Sequence, residues 1–284
     1  NLIEKLQDVD GIALRTAKLT EDILKKCRKL KIVARHGVGY DNVDLNYLNK
    51  HKIALAITGT SNAVSVAEHV MTMFLNICKK SNLSDQLVRD GKFAKHNSLP
   101  DFFELYKKNV LILGFGRIGK ALAKRCFGFD SKVYVYDPFI SDSIIKENNC
   151  VPINFEEGLK IADFVSVHIP LNDNTRNMIA KDQLKMMKNT CILVNTARGG
   201  IVNERDLIWA LINKQIYGAG TDVYEKEPPN NDNPLFKLDN IVLTPHNAAL
   251  TLECRKRMAI ETCENILYYL NDRSKLKVSN IITT

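Results

Sequence analysis

The sequence predicts a two-lobed α/β protein, on three observations. Apolar β-like runs alternate with helical stretches along nearly all of its 284 residues, which is how parallel strands joined by helices read. That length reaches the limit of about 250–300 residues at which single cores stop growing, so two lobes are favoured over one. Finally, the glycine-rich segment Gly114-Phe-Gly116-Arg117-Ile118-Gly119 stands between an apolar strand pattern and an Ala/Leu-rich helix pattern.

In chain order, residues 11–14 read as a strand, 20–29 as a helix with acids in its first turn, 31–34 as a strand, 45–50 as a helix and 53–57 as a strand. Together they predict the first α/β lobe. A long helix over 61–78 follows from the spacing of Val64, Val66, Val70, Met73, Phe74 and Ile77. A second helical stretch runs to about Arg89, where Asp90-Gly91 signals a turn. Six strands are then predicted, over 110–113, 132–136, 164–167, 191–195, 217–222 and 241–243, with helices between them. This is the makeup of a doubly wound parallel sheet. An amphipathic helix over 250–270 is expected to return to the first lobe, so the predicted domains are 1–62 with 249–284, and 63–248. Trp209, within a helix over 205–212, is assigned to the core.

Composition narrows the class. With 45% hydrophobic and 25% charged residues, disorder is excluded. The net charge is +8, yet Lys and Arg are scattered, and the densest cluster (Lys25, Lys26, Arg28, Lys29, Lys31) leads directly into an apolar strand pattern. That is a solvated helix face rather than a nucleic-acid surface, while the charge favours small anionic ligands. Seven cysteines, an odd number without a Cys-x-x-Cys pair, predict reduced thiols in a cytoplasmic protein. The longest apolar stretch, 63–78, is broken by Glu68 and His69 and falls short of the ~20 residues of a membrane span. Neither a membrane partner nor a metal is expected, nor, from the opening residues, a signal peptide.

The glycine turn carries the first functional prediction. Gly114 permits a tight turn, Gly116 lets a pyrophosphate approach the backbone, and Gly119 lets the helix pack close to the strand. The next strand ends in Asp137, at the spacing of a ribose-binding acid. A carboxylate there repels a 2′-phosphate, and no Arg follows it closely, so NAD is predicted over NADP. Three polar residues just past three later strands complete the chemistry. Arg198 follows the strand ending at Asn195, Glu227 the strand ending at Asp222, and His246 the strand ending at Leu243. The carboxyl ends of parallel strands share one edge, so these three can converge on one site. A nicotinamide enzyme needs such a set: an imidazole to exchange a proton, an acid to favour its protonated form, and a guanidinium to hold a carboxylate.

The glycine turn, Asp137, the segment from Asp163 through His168-Ile-Pro170 to Thr175, Asn195-Thr-Ala-Arg198-Gly-Gly, Asp222-Val-Tyr-Glu-Lys-Glu227-Pro and Thr244-Pro-His246 resemble the successive signatures of the NAD-dependent D-2-hydroxyacid dehydrogenases. The resemblance implies a Rossmann NAD-binding domain and a smaller flavodoxin-like substrate domain whose first strand and helix lie ahead of Asn1. It implies His246 as general acid/base, Glu227 as its partner and Arg198 as substrate anchor. For the cofactor it adds Val38, Arg117, Ile118, Ile169, Pro170, Thr196, Ala197, Asp222, Asn247, Ala248 and Ala249, with Asn247 standing where relatives usually have an apolar residue. Val38 and Gly39 are expected to meet the substrate carboxylate through backbone amides. Within the family the chain resembles most the phosphoglycerate dehydrogenases of serine biosynthesis, with Arg15 and Arg35 facing the phosphate. A reductase of glyoxylate, hydroxypyruvate or another 2-oxo acid is the alternative, and an NAD-sensing corepressor is the reading from a different class. A homodimer is expected, with the helix over 63–78 and its successor contributing.

Overall fold

The computed structural model describes residues 2–59 and 61–283. The chain forms two compact units, Asn1–Ala63 with Ala249–Thr284, and Val64–Ala248.

In the smaller unit three parallel strands, β1 (Gly11–Leu14), β2 (Ile32–Arg35) and β3 (Ala54–Ala56), lie in the order β1-β2-β3. Alternate side chains face opposite ways along a strand. Ile12, Leu14, Val33 and Leu55 therefore enter one core with Leu24 and Leu48, while Ile32, Ala34, Ala54 and Ala56 face Ile266, Tyr269 and Leu270 of the helix Leu252–Asn271. The C-terminal tail bridges the β3 edge antiparallel at Ile281, satisfying backbone groups that an open edge strand leaves unpaired. The predicted helix over 20–29 is only Glu21–Leu24. Beyond it Lys25, Arg28 and Lys29 fall at i,i+3 and i,i+4 spacing, where like charges oppose helix propagation.

The larger unit holds a parallel sheet of seven strands: β4 (Asn109–Leu113), β5 (Lys132–Tyr136), β6 (Val151–Pro152), β7 (Phe164–Val167), β8 (Ile192–Asn195), β9 (Gly218–Thr221) and β10 (Ile241–Leu243). Their order is β10-β9-β8-β7-β4-β5-β6, so the winding reverses between β4 and β7. Six strands were expected. The addition, β6, is a two-residue edge whose proline cannot donate to a ladder, which leaves it without a strand signature in sequence.

Both faces of this sheet are covered. Val110 and Ile112 pack with Val70, Phe74 and Leu122 on one side, and Leu111, Leu113, Val165 and Leu193 with Leu159, Leu184 and Leu211 on the other. Trp209 packs against the second core from its margin. The helix Ala63–Lys79 lies across β9, where an added Cβ at Gly220 would come 2.8 Å from Met73 Sδ, so the strand's small residues set how closely the helix approaches.

Candidate active site

The glycine turn follows β4 directly. Gly114 has φ +95°, a conformation side chains disfavour, and an added Cβ would meet the His168 carbonyl oxygen at 2.7 Å. At Gly119 the added atom would stand 2.3 Å from the Gly114 carbonyl oxygen, which presses the helix Arg117–Phe127 against the turn. Gly116 is different, because nothing lies within 4 Å of its would-be Cβ. Open space thus fronts the first amides of this helix, the half-buried Arg117 and Ile118 among them, where a helix N-terminus attracts a phosphate. Asp137, at the end of β5, accepts from the Phe115 amide at 2.8 Å and from the Phe139 amide at 2.9 Å. Its carboxylate is thereby fixed beside the turn, with lone pairs remaining for ribose hydroxyls.

Three buried polar atoms at the same sheet edge have no hydrogen-bond partner among the described residues: His168 Nδ1 past β7, Thr196 Oγ1 past β8 and Asn247 Oδ1 past β10. Each such atom costs about 1–3 kcal/mol when left unsatisfied. Their placement fits a polar ligand laid along the strand ends, with Ile169, Pro170 and Ala197 beside them in the chain. The other ring nitrogen of His168 is 2.8 Å from Ser166 Oγ, and burial pushes the imidazole down to about 3, so this ring is neutral throughout the physiological range.

The proton-transfer candidates meet. His246 Nδ1 is 2.7 Å from Glu227 Oε2, and Glu227 Oε1 accepts from the Tyr224 amide at 3.1 Å. With Nδ1 engaged, Nε2 is the ring atom available for proton exchange, on a side chain that is 50% exposed. Arg198 follows β8 and donates from Nη1 to the Ala197 carbonyl at 2.7 Å, while its own carbonyl accepts from Asn195. The next residue, Gly199, lies so close to Tyr224 that an added Cβ would come 1.9 Å from its carbonyl oxygen. The loop bearing Arg198 therefore abuts the loop leading to Glu227.

His246 itself has φ +52°, and its loop is held from beneath by Asp222. That carboxylate is 1% exposed, and it accepts from the Asn247 amide at 2.9 Å, the Ala248 amide at 3.0 Å and the Thr244 hydroxyl at 2.5 Å. The structure thus turns both Asp222 oxygens onto the loop, a structural role beside the expected cofactor contact.

The remaining predicted residues, Arg15, Arg35, Val38, Gly39 and Ala249, belong to the smaller unit. Arg35 has a structural task that the sequence reading did not include. Its Nε donates to the Gly39 carbonyl at 2.7 Å, and its Nη1 to the carbonyls of Leu14, at 2.9 Å, and Arg15. A guanidinium in a strand end is well matched to nearby carbonyls, and here it braces the loop carrying Val38 and Gly39 through Nε and Nη1. Arg15 is exposed. Sequence reasoning missed His69, whose Nε2 is 3.0 Å from Thr244 Oγ1; the signal was a histidine that, with Glu68, interrupts an apolar stretch.

Comparison with known proteins decides the family. A family model described as the NAD-binding domain of D-isomer-specific 2-hydroxyacid dehydrogenases matches residues 71–248. The chain belongs to that family. It is accordingly an NAD-dependent oxidoreductase of α/β fold. A glyoxylate reductase of Korarchaeum cryptofilum is 36% identical over 94% of this chain and 82% of its own length. A D-3-phosphoglycerate dehydrogenase of Archaeoglobus fulgidus is also 36% identical over 94% of the chain, which spans half the length of that relative. The solved D-lactate dehydrogenase of Aquifex aeolicus, in complex with NAD and lactic acid, matches with TM-score 0.88 and 29% identity over 99% of this chain and 88% of that one. Among the described residues, no helix of this dehydrogenase is long and apolar enough to cross a membrane.

Because unfolded histidine takes a proton near 6.5 and His168 only near 3, acid favours the unfolded chain. Stability from this group is complete above about 6.5 and is lost as pH falls toward about 3. Urea midpoints followed from neutral pH to about pH 5 should decline more steeply in the parent than in His168→Gln; parallel curves would show that His168 titrates normally in the fold.

Proposed function

We propose that this dehydrogenase interconverts a small unphosphorylated 2-oxo acid, of the glyoxylate or hydroxypyruvate class, with its D-2-hydroxy acid. The observation that carries the reading is the 2.7 Å pair of His246 and Glu227, standing past the strand ends on the same sheet as the dinucleotide turn. The Arg198 guanidinium offers a permanently charged planar fork to the substrate carboxylate, a geometry Lys lacks. His246 delivers a proton from Nε2 to the carbonyl oxygen during reduction, and Glu227 fixes the ring's orientation through Nδ1. NAD, held by the glycine turn and Asp137, supplies the hydride chemistry when bound. We assign the Val38 and Gly39 amides to carboxylate recognition, in a loop that Arg35 holds in shape.

The commitment of Arg35 to backbone carbonyls supports the unphosphorylated substrate. Exposed Arg15 favours a second reading, oxidation of 3-phosphoglycerate to 3-phosphohydroxypyruvate in serine biosynthesis. NADH consumption measured across glyoxylate, hydroxypyruvate and 3-phosphohydroxypyruvate separates them. We expect kcat/KM to be highest for an unphosphorylated acid, to be unaffected by Arg15→Ala, and to fall by about 10²–10⁴ in His246→Ala. A phosphorylated substrate that loses its advantage only in Arg15→Ala would establish the second reading, and an active His246→Ala would remove both.

We further infer a homodimer. The helix Ala63–Lys79 is spent on its own core through Val70, Met73, Phe74 and Ile77. Its successor Ser81–Arg89 buries nothing, and Leu83, Val88, Phe93 and Phe102 are all at least 45% exposed. A surface of this kind fits a second copy of the chain. Light scattering should give twice the 32.1 kDa chain mass, and a monomeric mass at micromolar concentration would refute the dimer.

A further inference from the structure

His69 lies on the helix Ala63–Lys79, with 19% of its side chain exposed, between the exposed Glu68 and the buried Val70. Its Nε2 stands 3.0 Å from Thr244 Oγ1 and 3.8 Å from Asp222 Oδ1. The Thr244 hydroxyl donates to Asp222 at 2.5 Å. A hydroxyl has one proton to give. Having given it to Asp222, Thr244 can only accept from His69, so the ring proton sits on Nε2.

The result is a directed donor chain, His69 Nε2–H to Thr244 Oγ1–H to Asp222 Oδ1, ending on the carboxylate that grips the amides of Asn247 and Ala248. The segment it reaches flanks His246 on both sides. Tyr224 adds a second hold, donating its hydroxyl to the Thr244 carbonyl at 3.1 Å. Burial keeps the His69 imidazole below its ordinary value, against the opposing pull of Asp222, so the ring acts as a neutral donor. An apolar residue at this helix position would fill space but leave the Thr244 hydroxyl without its donor, free to rotate away from Asp222.

We propose that His69 is a positioning residue for proton transfer, ordering the His246 loop through Thr244 and Asp222. The catalytic part of this assignment rests on the proposed role of His246, whereas the ordering of the loop does not. Two kinds of readout therefore keep the inferences apart.

Four variants test it: His69→Phe keeps a flat ring without a donor, His69→Gln keeps an N–H near the Nε2 position, Thr244→Val removes the relay, and the fourth combines His69→Phe with Thr244→Val. Backbone hydrogen exchange should be at least about tenfold faster at Asn247 and Ala248 in His69→Phe and in Thr244→Val, and return to the parent rate in His69→Gln. With hydroxypyruvate, kcat should fall roughly tenfold in the first two, while NADH affinity from fluorescence titration stays within about twofold of the parent. The double variant should be no slower than the worse single one, because both substitutions break the same chain. Parent-like exchange in His69→Phe, failure of His69→Gln to restore it, or additive losses in the double variant would each overturn the proposal. Should His69→Phe fail to fold, Thr244→Val and His69→Gln carry the same comparison. A parent enzyme that reduces no 2-oxo acid would defeat the proposed function, while the exchange rates would still decide this inference.

Discussion

The buried carboxylate of Asp222 is the interaction on which the candidate site depends. A carboxylate this far from water is costly unless its oxygens are fully engaged. Here two backbone amides and a hydroxyl converge on it, all from residues 244–248. Bonds from N–H and O–H to an ionised acceptor are stronger than neutral ones, so the acid both draws in the loop and is made tolerable by it. The left-handed backbone at His246 is kept within that loop, and the imidazole it presents meets Glu227. Remove the central charge, and the amides of Asn247 and Ala248 lose their common anchor.

The sheet brings the partners of this acid together. Strand β9 is Gly-Ala-Gly-Thr, a poor strand former by propensity, yet it lies buried between neighbours on both sides. Its small side chains let the helix Ala63–Lys79 settle closely, with Met73 against Gly220. The same helix, one turn earlier, brings His69 to Thr244 and Asp222. Packing on the sheet face and hydrogen bonding at the sheet edge are thus two consequences of one close approach. On the far side of the winding reversal, the glycine turn and Asp137 form the dinucleotide end of the same edge.

Much of this was legible because it is local. Glycines between a strand and a helix, and polar residues just past apolar runs, announce themselves within a few positions, and β5, β7 and β10 have the bounds that hydrophobic patterning predicts. Features that depend on distant partners were hidden. The bracing role of Arg35 appears only once the carbonyls of Leu14 and Arg15 are placed beside it from a neighbouring segment. The grip of Asp222 on the loop of residues 244–248 appears only once that loop folds over it, and His69 reads as an interruption of an apolar stretch until Thr244 arrives from 175 residues away in the chain. The short β6 is invisible for another reason, since two residues with a proline carry no periodicity.

The most direct measurement makes the substitution Asp222→Asn and compares turnover with NADH binding in the same preparation. The asparagine side chain keeps the shape but presents an amide N–H to one of the two backbone donors, so the loop cannot be gripped on both sides. The expected result is a loss of kcat by roughly 10² or more with NADH affinity within about fivefold of the parent, since the glycine turn and Asp137 are untouched. An Asp222→Asn variant that turns over at the parent rate would contradict the central place given to this buried acid.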